Sequence, residues 1–163
     1  MSHETRPHGT ADDDVLSWAA ARIADLARGR VCDLGCGEGR FLPSGGVGVD
    51  LDVARLRAAR ARSSRLVLAD AHALPFADAS FDTVLANRML NAAGRVDAVL
   101  TEIRRVLRPD GRLIVLTRAR RREDADRLDP DNGAARLAAH FALVHAERRA
   151  GAALFVVGGA IDE

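Results

Sequence analysis

An aspartate followed by three glycines at every second position is the densest chemical signal in this chain: Val31-Cys32-Asp33-Leu34-Gly35-Cys36-Gly37-Glu38-Gly39-Arg40. An apolar run leads into the acid, as a buried strand would. Glycines this dense let the backbone turn sharply and let a ligand lie against the main chain with no Cβ in the way. A dinucleotide site of the dehydrogenase kind uses G-x-G-x-x-G, with an acid about 20 residues further on. Here the pattern is G-x-G-x-G, Asp33 precedes the first glycine by two positions, and the next strand-end acid is Asp50, close behind the loop. This spacing points away from a pyrophosphate and toward a small cationic nucleoside.

These residues need a scaffold, and the apolar pattern supplies one. Residues 12–28 read as a helix, with Val15, Trp18, Ala19, Ile23 and Leu26 at helical spacing and Gly29 as its stop. Asp12, Asp13 and Asp14 put negative charge where the helix dipole favours it. Strands are expected at 30–34, 47–51, 65–69, 81–86 and 112–117. Helices are expected at 53–62 and 95–107, with a turn at Pro109-Asp110-Gly111. The strands are short apolar runs without alternation, as when helices cover both faces of a sheet. Alternation of strand and helix predicts a doubly wound, mostly parallel α/β sheet. Residues 130–140 read as helical. Two strand-like runs, 142–148 and 153–157, flank a hairpin turn at 149–152.

Four blocks, in order and at near-normal spacing, resemble the class I S-adenosylmethionine-dependent methyltransferases. They are the glycine segment, Gly48-Val49-Asp50-Leu51-Asp52, Ala69-Asp70-Ala71-His72-Ala73-Leu74-Pro75-Phe76, and residues 100–113 from Leu100 to Leu113. The last two are similar to the methyltransferase type 11 group. The resemblance implies a Rossmann-like sheet of seven strands ending in an antiparallel hairpin, with S-adenosyl-L-methionine as cofactor. It implies that Asp33 meets the methionyl amine, that Gly35, Cys36 and Gly37 form the bare cradle, and that Asp50 accepts from the ribose hydroxyls. Leu51 would press on the adenine, Asp70 and the Ala71 N–H would meet its edge, and Asn87 would pass the sulfonium end. Asp52 suits the N-cap of the next helix better than a ligand role.

Three departures from the family pattern stand out. Many relatives carry a His-His pair where this chain has Asn91-Ala92, so no obvious imidazole base is present; Asn87, Arg88 and Asn91 are expected to line the reaction edge. Between Gly39 and Gly48 the family places a full helix, whereas Arg40 to Val47 leaves room for at most one turn before Pro43 and two glycines. That loss is expected to leave apolar sheet surface for a partner subunit or a second copy. The link after the fifth strand, 118–129, is short and charged where relatives build an acceptor lid.

Composition sets outer bounds. With 163 residues and 48% apolar content the chain suits one domain, expected at 11–163, behind a flexible arm at 1–10. A net charge of +1 gives no general pull toward nucleic acid or anionic membrane. All 24 basic residues are arginine, and the chain is read as bacterial. No apolar stretch has the length of a membrane span, and the N-terminus lacks the apolar core of a secretory signal. Cys32 and Cys36 have no companion cluster, so neither a metal site nor a disulfide is expected and a reducing, cytoplasmic setting is. His72 reads as an exposed turn residue, Trp18 as helix packing, and Phe41, Phe76, Phe81, Phe141 and Phe155 as core. The leading reading is methyl transfer to a small-molecule acceptor. A non-catalytic cofactor-binding partner subunit and an RNA or protein methyltransferase remain as alternatives.

Overall fold

The structure, a computed structural model, describes residues 11–118 and 128–160. The chain runs α1 (Ala11–Leu26), β1 (Val31–Leu34), β2 (Val47–Asp50), α2 (Val53–Ala59), β3 (Leu66–Leu68) and β4 (Phe81–Asn87). It continues through α3 (Leu90–Ala93), α4 (Val96–Val106), β5 (Leu107–Arg118), α5 (Gly133–Ala138), β6 (Phe141–Arg149) and β7 (Ala152–Ala160). The strands form one seven-stranded sheet in the order β3-β2-β1-β4-β5-β7-β6. The first five are parallel, and β7 and β6 join antiparallel, as the sequence predicts. The order reverses direction between β1 and β4, and open α/β sheets bind ligands at such a switch point, beyond the carboxyl ends of the strands.

The two faces of the sheet bury different residues because side chains alternate along each strand. On one face Val31, Leu85, Ile114, Leu116, Leu154 and Val156 pack under Val15, Ala19 and Ile23 of α1. On the other, Leu34, Val84, Leu113, Val115 and Phe155 pack under Val99, Leu100 and Ile103 of α4 and Leu137 of α5. Ala150 and Gly151 take positive φ and close the β6–β7 hairpin at the expected place.

Several boundaries differ from the sequence reading. The helix expected over 130–140 is only Gly133–Ala138, because Asp129 folds the preceding segment into turns, accepting from the N–H groups of Asp131 (2.7 Å) and Asn132 (2.8 Å). Pro109-Asp110-Gly111 lies within β5 as an irregularity: Leu107 pairs with Phe81, and the ladder resumes only at Arg112 with Thr83. The short α3 carries no helical apolar period and was not anticipated. Much of the charged 118–129 link falls outside the described residues; Arg118 itself pairs with Asp12.

The helix missing between β1 and β2 is absent, as expected. Three tight turns replace it, with the Gly39 N–H donating to Cys36 O (2.8 Å), the Leu42 N–H to Gly39 O (3.3 Å) and the Gly46 N–H to Pro43 O (2.9 Å). The sheet tolerates this because β2 presents Gly48 there. A Cβ on Gly48 would come within 2.9 Å of Cys36 Sγ and 3.1 Å of Leu42 Cδ2, so loop side chains already fill the space. Phe41, expected in the core, is only partly buried and covers the edge of the α1 face. At the edge strand β3, Leu68 stays 55% exposed.

The link from β3 to β4 also lacks a helix, and α4 holds it by side chains. The Leu74 N–H donates to Glu102 Oε2 (3.1 Å), while Arg105 donates to Leu74 O (3.0 Å), Phe76 O (2.8 Å) and Asp78 Oδ1 (2.7 Å). Two of the four sequence blocks are therefore in contact with each other. Replacing Arg105 with Met is expected to speed amide hydrogen exchange over 70–80 while leaving the sheet strands protected. Ile103→Ala, at a fully buried position, is expected to lower global stability by about 2–5 kcal/mol in urea unfolding.

Candidate functional site

All nine residues expected to hold the cofactor (Asp33, Gly35, Cys36, Gly37, Asp50, Leu51, Asp70, Ala71 and Asn87) line one cavity of about 790 Å³ at the carboxyl ends of β1 to β4. Strand register explains the convergence. Asp33 pairs with Gly48 and with Leu85, and Asp50 with Leu68. Asp50 and Asn87 lie two residues beyond Asp33's partners, so all three side chains leave the same face of adjacent parallel strands. That face is the one α1 covers, and Leu16 of α1 closes the cavity.

The glycine loop is held by the acid that ends β2. Gly35, Gly37 and Gly39 all have positive φ (64°, 54° and 79°), a region that only glycine enters readily. The Gly37 N–H donates to Asp50 Oδ2 (2.8 Å), and the Asp52 N–H to Asp50 Oδ1 (2.9 Å). One carboxylate thus ties the first loop to the second. An added Cβ at Gly35 would stand 2.5 Å from Met89 Cβ, whereas at Gly37 nothing lies nearer than Arg55 Nη1 at 4.0 Å. Gly35 is small for packing, and Gly37 faces open space. Asp52 caps α2 as expected, accepting from the Ala54 and Arg55 N–H groups (2.8 and 3.2 Å).

Asp33 is the electrostatic centre. It is 1% exposed, and its Oδ1 has no hydrogen-bond partner. Burial, and then the charge of Asp50, push its pKa up to about 8. Asn87 is in the same condition, with both Oδ1 and Nδ2 buried and without a partner. Orphaned buried polar atoms are uncommon and costly, about 1–3 kcal/mol each. Two such groups on one face of neighbouring strands, both bordering the cavity, describe a site built for a polar ligand that has a cationic group.

The remaining residues divide. Leu51 is 66% exposed and Ala71 buried, both on the cavity wall. Asp70 is engaged in two ways. It makes a turn, its Oδ1 accepting from the His72 N–H (2.9 Å) and lying 2.7 Å from His72 Nδ1, and it also lines the cavity. These bonds, the backbone one first, hold its carboxyl below the usual carboxylate range. His72 is not the exposed turn residue expected: it is half-buried, its ring spans Asp70 and Gly94 O (3.2 Å), and it lines the cavity. Its place two residues beyond Asp70 was the only signal in the sequence. Asn91 is a correction. Its amide exchanges two bonds with the Leu128 backbone (2.7 and 2.8 Å), so it anchors the chain entering α5 and does not line the reaction edge. Arg88 does line it, at a φ of 61°. Both cysteines are free and buried, and burial pushes the Cys36 thiol up to about 12, which leaves it without thiolate character at neutral pH. Among the described residues there is no cluster of metal-ligating side chains and no helix long and apolar enough to cross a membrane.

A doubly wound sheet in this strand order, with its acids gathered at the switch point, defines a class I nucleoside-binding α/β domain. The chain matches the methyltransferase domain family over residues 32–115 and belongs to it. The fatty-acid O-methyltransferase of Mycolicibacterium smegmatis is 36% identical over 121 residues, which are 67% of this chain and 44% of that protein. The ubiquinone/menaquinone biosynthesis C-methyltransferase of Dinoroseobacter shibae is 37% identical over 125 residues, 67% of this chain and 48% of that one. The chain therefore spans less than half the length of these curated relatives. A SAM-dependent methyltransferase of Thermotoga maritima aligns with a TM-score of 0.60 and 28% identity, over 65% of this chain and 53% of its own. A Pyrococcus horikoshii protein, at 20% identity, shares the fold over 93% of this chain and 92% of its own, with a TM-score of 0.76. S-adenosylmethionine is the cofactor this membership carries.

The chemistry of Asp33 gives a test that needs no ligand. Its folded-state pKa of about 8 lies above the ordinary 3.8, so between these values the folded protein holds a proton that the unfolded chain has released. Stability is expected to fall as pH rises from about 4 toward about 8 and then to level off. Asp33→Asn should remove that slope and be the more stable protein at pH 8, as read by urea unfolding at a series of pH values.

Proposed function

We propose that this protein transfers the methyl group of S-adenosylmethionine to a small-molecule acceptor. The observation that carries the reading is the pair of orphaned buried groups, Asp33 and Asn87, on the wall of a glycine-lined cavity. When bound, the cofactor supplies a methyl group on a sulfonium, already a strong electrophile. The protein's part is then to bind, orient and exclude water.

Asp33 would meet the ammonium of the methionyl end, and a cation there would bring its carboxyl back toward the ionised form. Gly37 leaves the backbone bare at the loop. Asp50 spends one lone pair on each of the Gly37 and Asp52 N–H groups. A carboxylate has about four acceptor positions, so capacity remains for the ribose hydroxyls. Leu51 and Ala71 would flank the adenine, and Asp70 would accept from its amino group. Cys36 packs behind the cradle against Gly48 and plays no nucleophilic part. Asn87 would turn its amide toward the sulfonium end. Alignment of two reactants in one cavity can supply up to about 7–11 kcal/mol of the barrier in favourable models, so chemistry without a dedicated base is feasible.

The relatives named above bear on the acceptor only as a class: one is named for a fatty acid, the other for ubiquinone and menaquinone biosynthesis. Both names point to small molecules rather than RNA or protein, as the near-neutral charge does.

Titration with S-adenosylhomocysteine, followed by thermal shift and calorimetry, is the direct test. The wild-type protein is expected to bind it, with affinity rising from pH 6 to pH 8 and with proton release near pH 7 as Asp33 ionises. Asp50→Ala should abolish most of the thermal shift, since it removes both the ribose acceptor and the tie to Gly37. No binding to the wild-type protein would favour a pseudoenzyme subunit, and an unchanged shift in Asp50→Ala would remove that residue from the site.

A further inference from the structure

The net charge of +1 conceals a separation of charge along the chain. Between Leu51 and Ala69 stand five arginines (Arg55, Arg57, Arg60, Arg62 and Arg65) against one acid, Asp52. All five arginines are exposed. Asp52 is already engaged, capping α2 and lying 3.7 Å from Arg55. Among the described residues no acid pairs with Arg57, Arg60, Arg62 or Arg65. Arg65 donates to a backbone oxygen, Gly45 O (3.1 Å), and the stem of Arg62 lies beside Gly39. The charge therefore continues from α2 along the short β1–β2 link.

The same edge holds exposed apolar side chains. α2 packs on β2 and on the edge strand β3, burying Leu56 and Ala59. Val53, Arg57 and Arg60 follow at i, i+4 and i+7, and Arg60 keeps helical dihedrals as the C-cap. One outward stripe of α2 thus carries a half-exposed valine and two guanidiniums. Leu68 stands in solvent at the end of β3. Among the described residues the large apolar side chains left exposed are Val53, Leu68 and Leu51, and Leu51 belongs to the cofactor cavity.

Unpaired arginines repel one another and add nothing to the fold; a polyanion relieves them. Residues 51–69 contain no aromatic side chain. Single-stranded nucleic acid is held by stacking on aromatic rings, and a sugar-phosphate backbone gives Val53 and Leu68 nothing to bury against. Protein interfaces are anchored by aromatic side chains in a desolvated core, which two aliphatic residues among four arginines do not provide. A lipid headgroup layer fits both features. Guanidiniums meet its phosphates while their stems lie on apolar surface, and small apolar side chains reach the acyl boundary.

We propose that α2 and the β3 edge dock this protein on a membrane surface bearing anionic headgroups, through Arg57, Arg60, Arg62 and Arg65, with Val53 and Leu68 dipping below the phosphates. The attachment is peripheral and reversible, and it stands apart from the identity of the methyl acceptor. Leu51 and Arg55 flank this surface in the chain and line the cofactor cavity, so docking sets that cavity beside the lipid.

The test is co-sedimentation of the full chain with vesicles of phosphatidylcholine alone and of phosphatidylcholine with about one-third phosphatidylglycerol. The protein is expected to bind the mixed vesicles at low salt, to leave the neutral ones in solution, and to be released as salt is raised. Each basic residue at an anionic surface strengthens binding about fivefold, so the double variant Arg57→Gln, Arg60→Gln is expected to bind about 25-fold more weakly. Leu68→Ser should weaken binding severalfold through the apolar contact. Both variants should keep the wild-type melting curve, since the substituted side chains are exposed. Equal binding to neutral and anionic vesicles, no binding to either, or mixed-vesicle binding that survives the arginine substitutions would overturn the proposal. So would tighter binding to poly(U) RNA than to the mixed vesicles at the same salt, which would make the surface a nucleic-acid one.

Discussion

A carboxyl group held out of water with one oxygen unpartnered is the constraint around which this molecule is arranged. Asp33 sits at the centre of the parallel sheet, between β2 and β4, where burial costs most. A fold gains nothing from an acid in that position. It is tolerated because the surrounding sheet is stable: Leu34, Leu85, Leu113 and Ile114 are fully buried around it. Electrostatic strain of this kind is what a cationic ligand relieves, and selectivity follows, since a neutral or anionic ligand of the same shape relieves none of it.

Asp50 shows how little chain is needed to connect recognition to architecture. Its two oxygens join the glycine loop to the start of α2, so the cradle has its shape before a ligand arrives. The same economy appears in the links. The α4 residues Glu102 and Arg105 stand in for a helix between β3 and β4, and Gly48 with Cys36 and Leu42 for one between β1 and β2. Each of these links is held by a few side chains rather than by an element of its own.

Most of the fold was legible in the sequence because it is written in apolar period and in glycine. The five parallel strands, α1, α4 and the hairpin follow from burial patterns that admit few alternatives. The acids at the strand ends were legible because strand, acid and glycine occur together in sequence. Asn91 and His72 were not. Asn91 lies four positions beyond Asn87, which as sequence suggests a shared edge, but α3 turns it toward Leu128. His72 acquires its setting from Gly94, 22 residues away. The irregularity in β5 was hidden because Pro109-Asp110-Gly111 is a turn in any local reading; only the resumption of pairing at Arg112 shows that the strand continues through it. Long-range partners of polar side chains leave no local trace.

The position of β7 carries a consequence for how such a chain is made. It lies between β5 and β6, yet it is synthesised after both. While a ribosome is still extending the chain, β5 can pair with β4, but its other border, along Leu113 to Thr117, has nothing to bond. That border is apolar and long, the sort of template on which nascent chains stick to one another. Retaining the hairpin therefore protects the polypeptide during its birth as well as completing the finished sheet, and shortening it would be felt first as poor yield rather than as a damaged binding cavity.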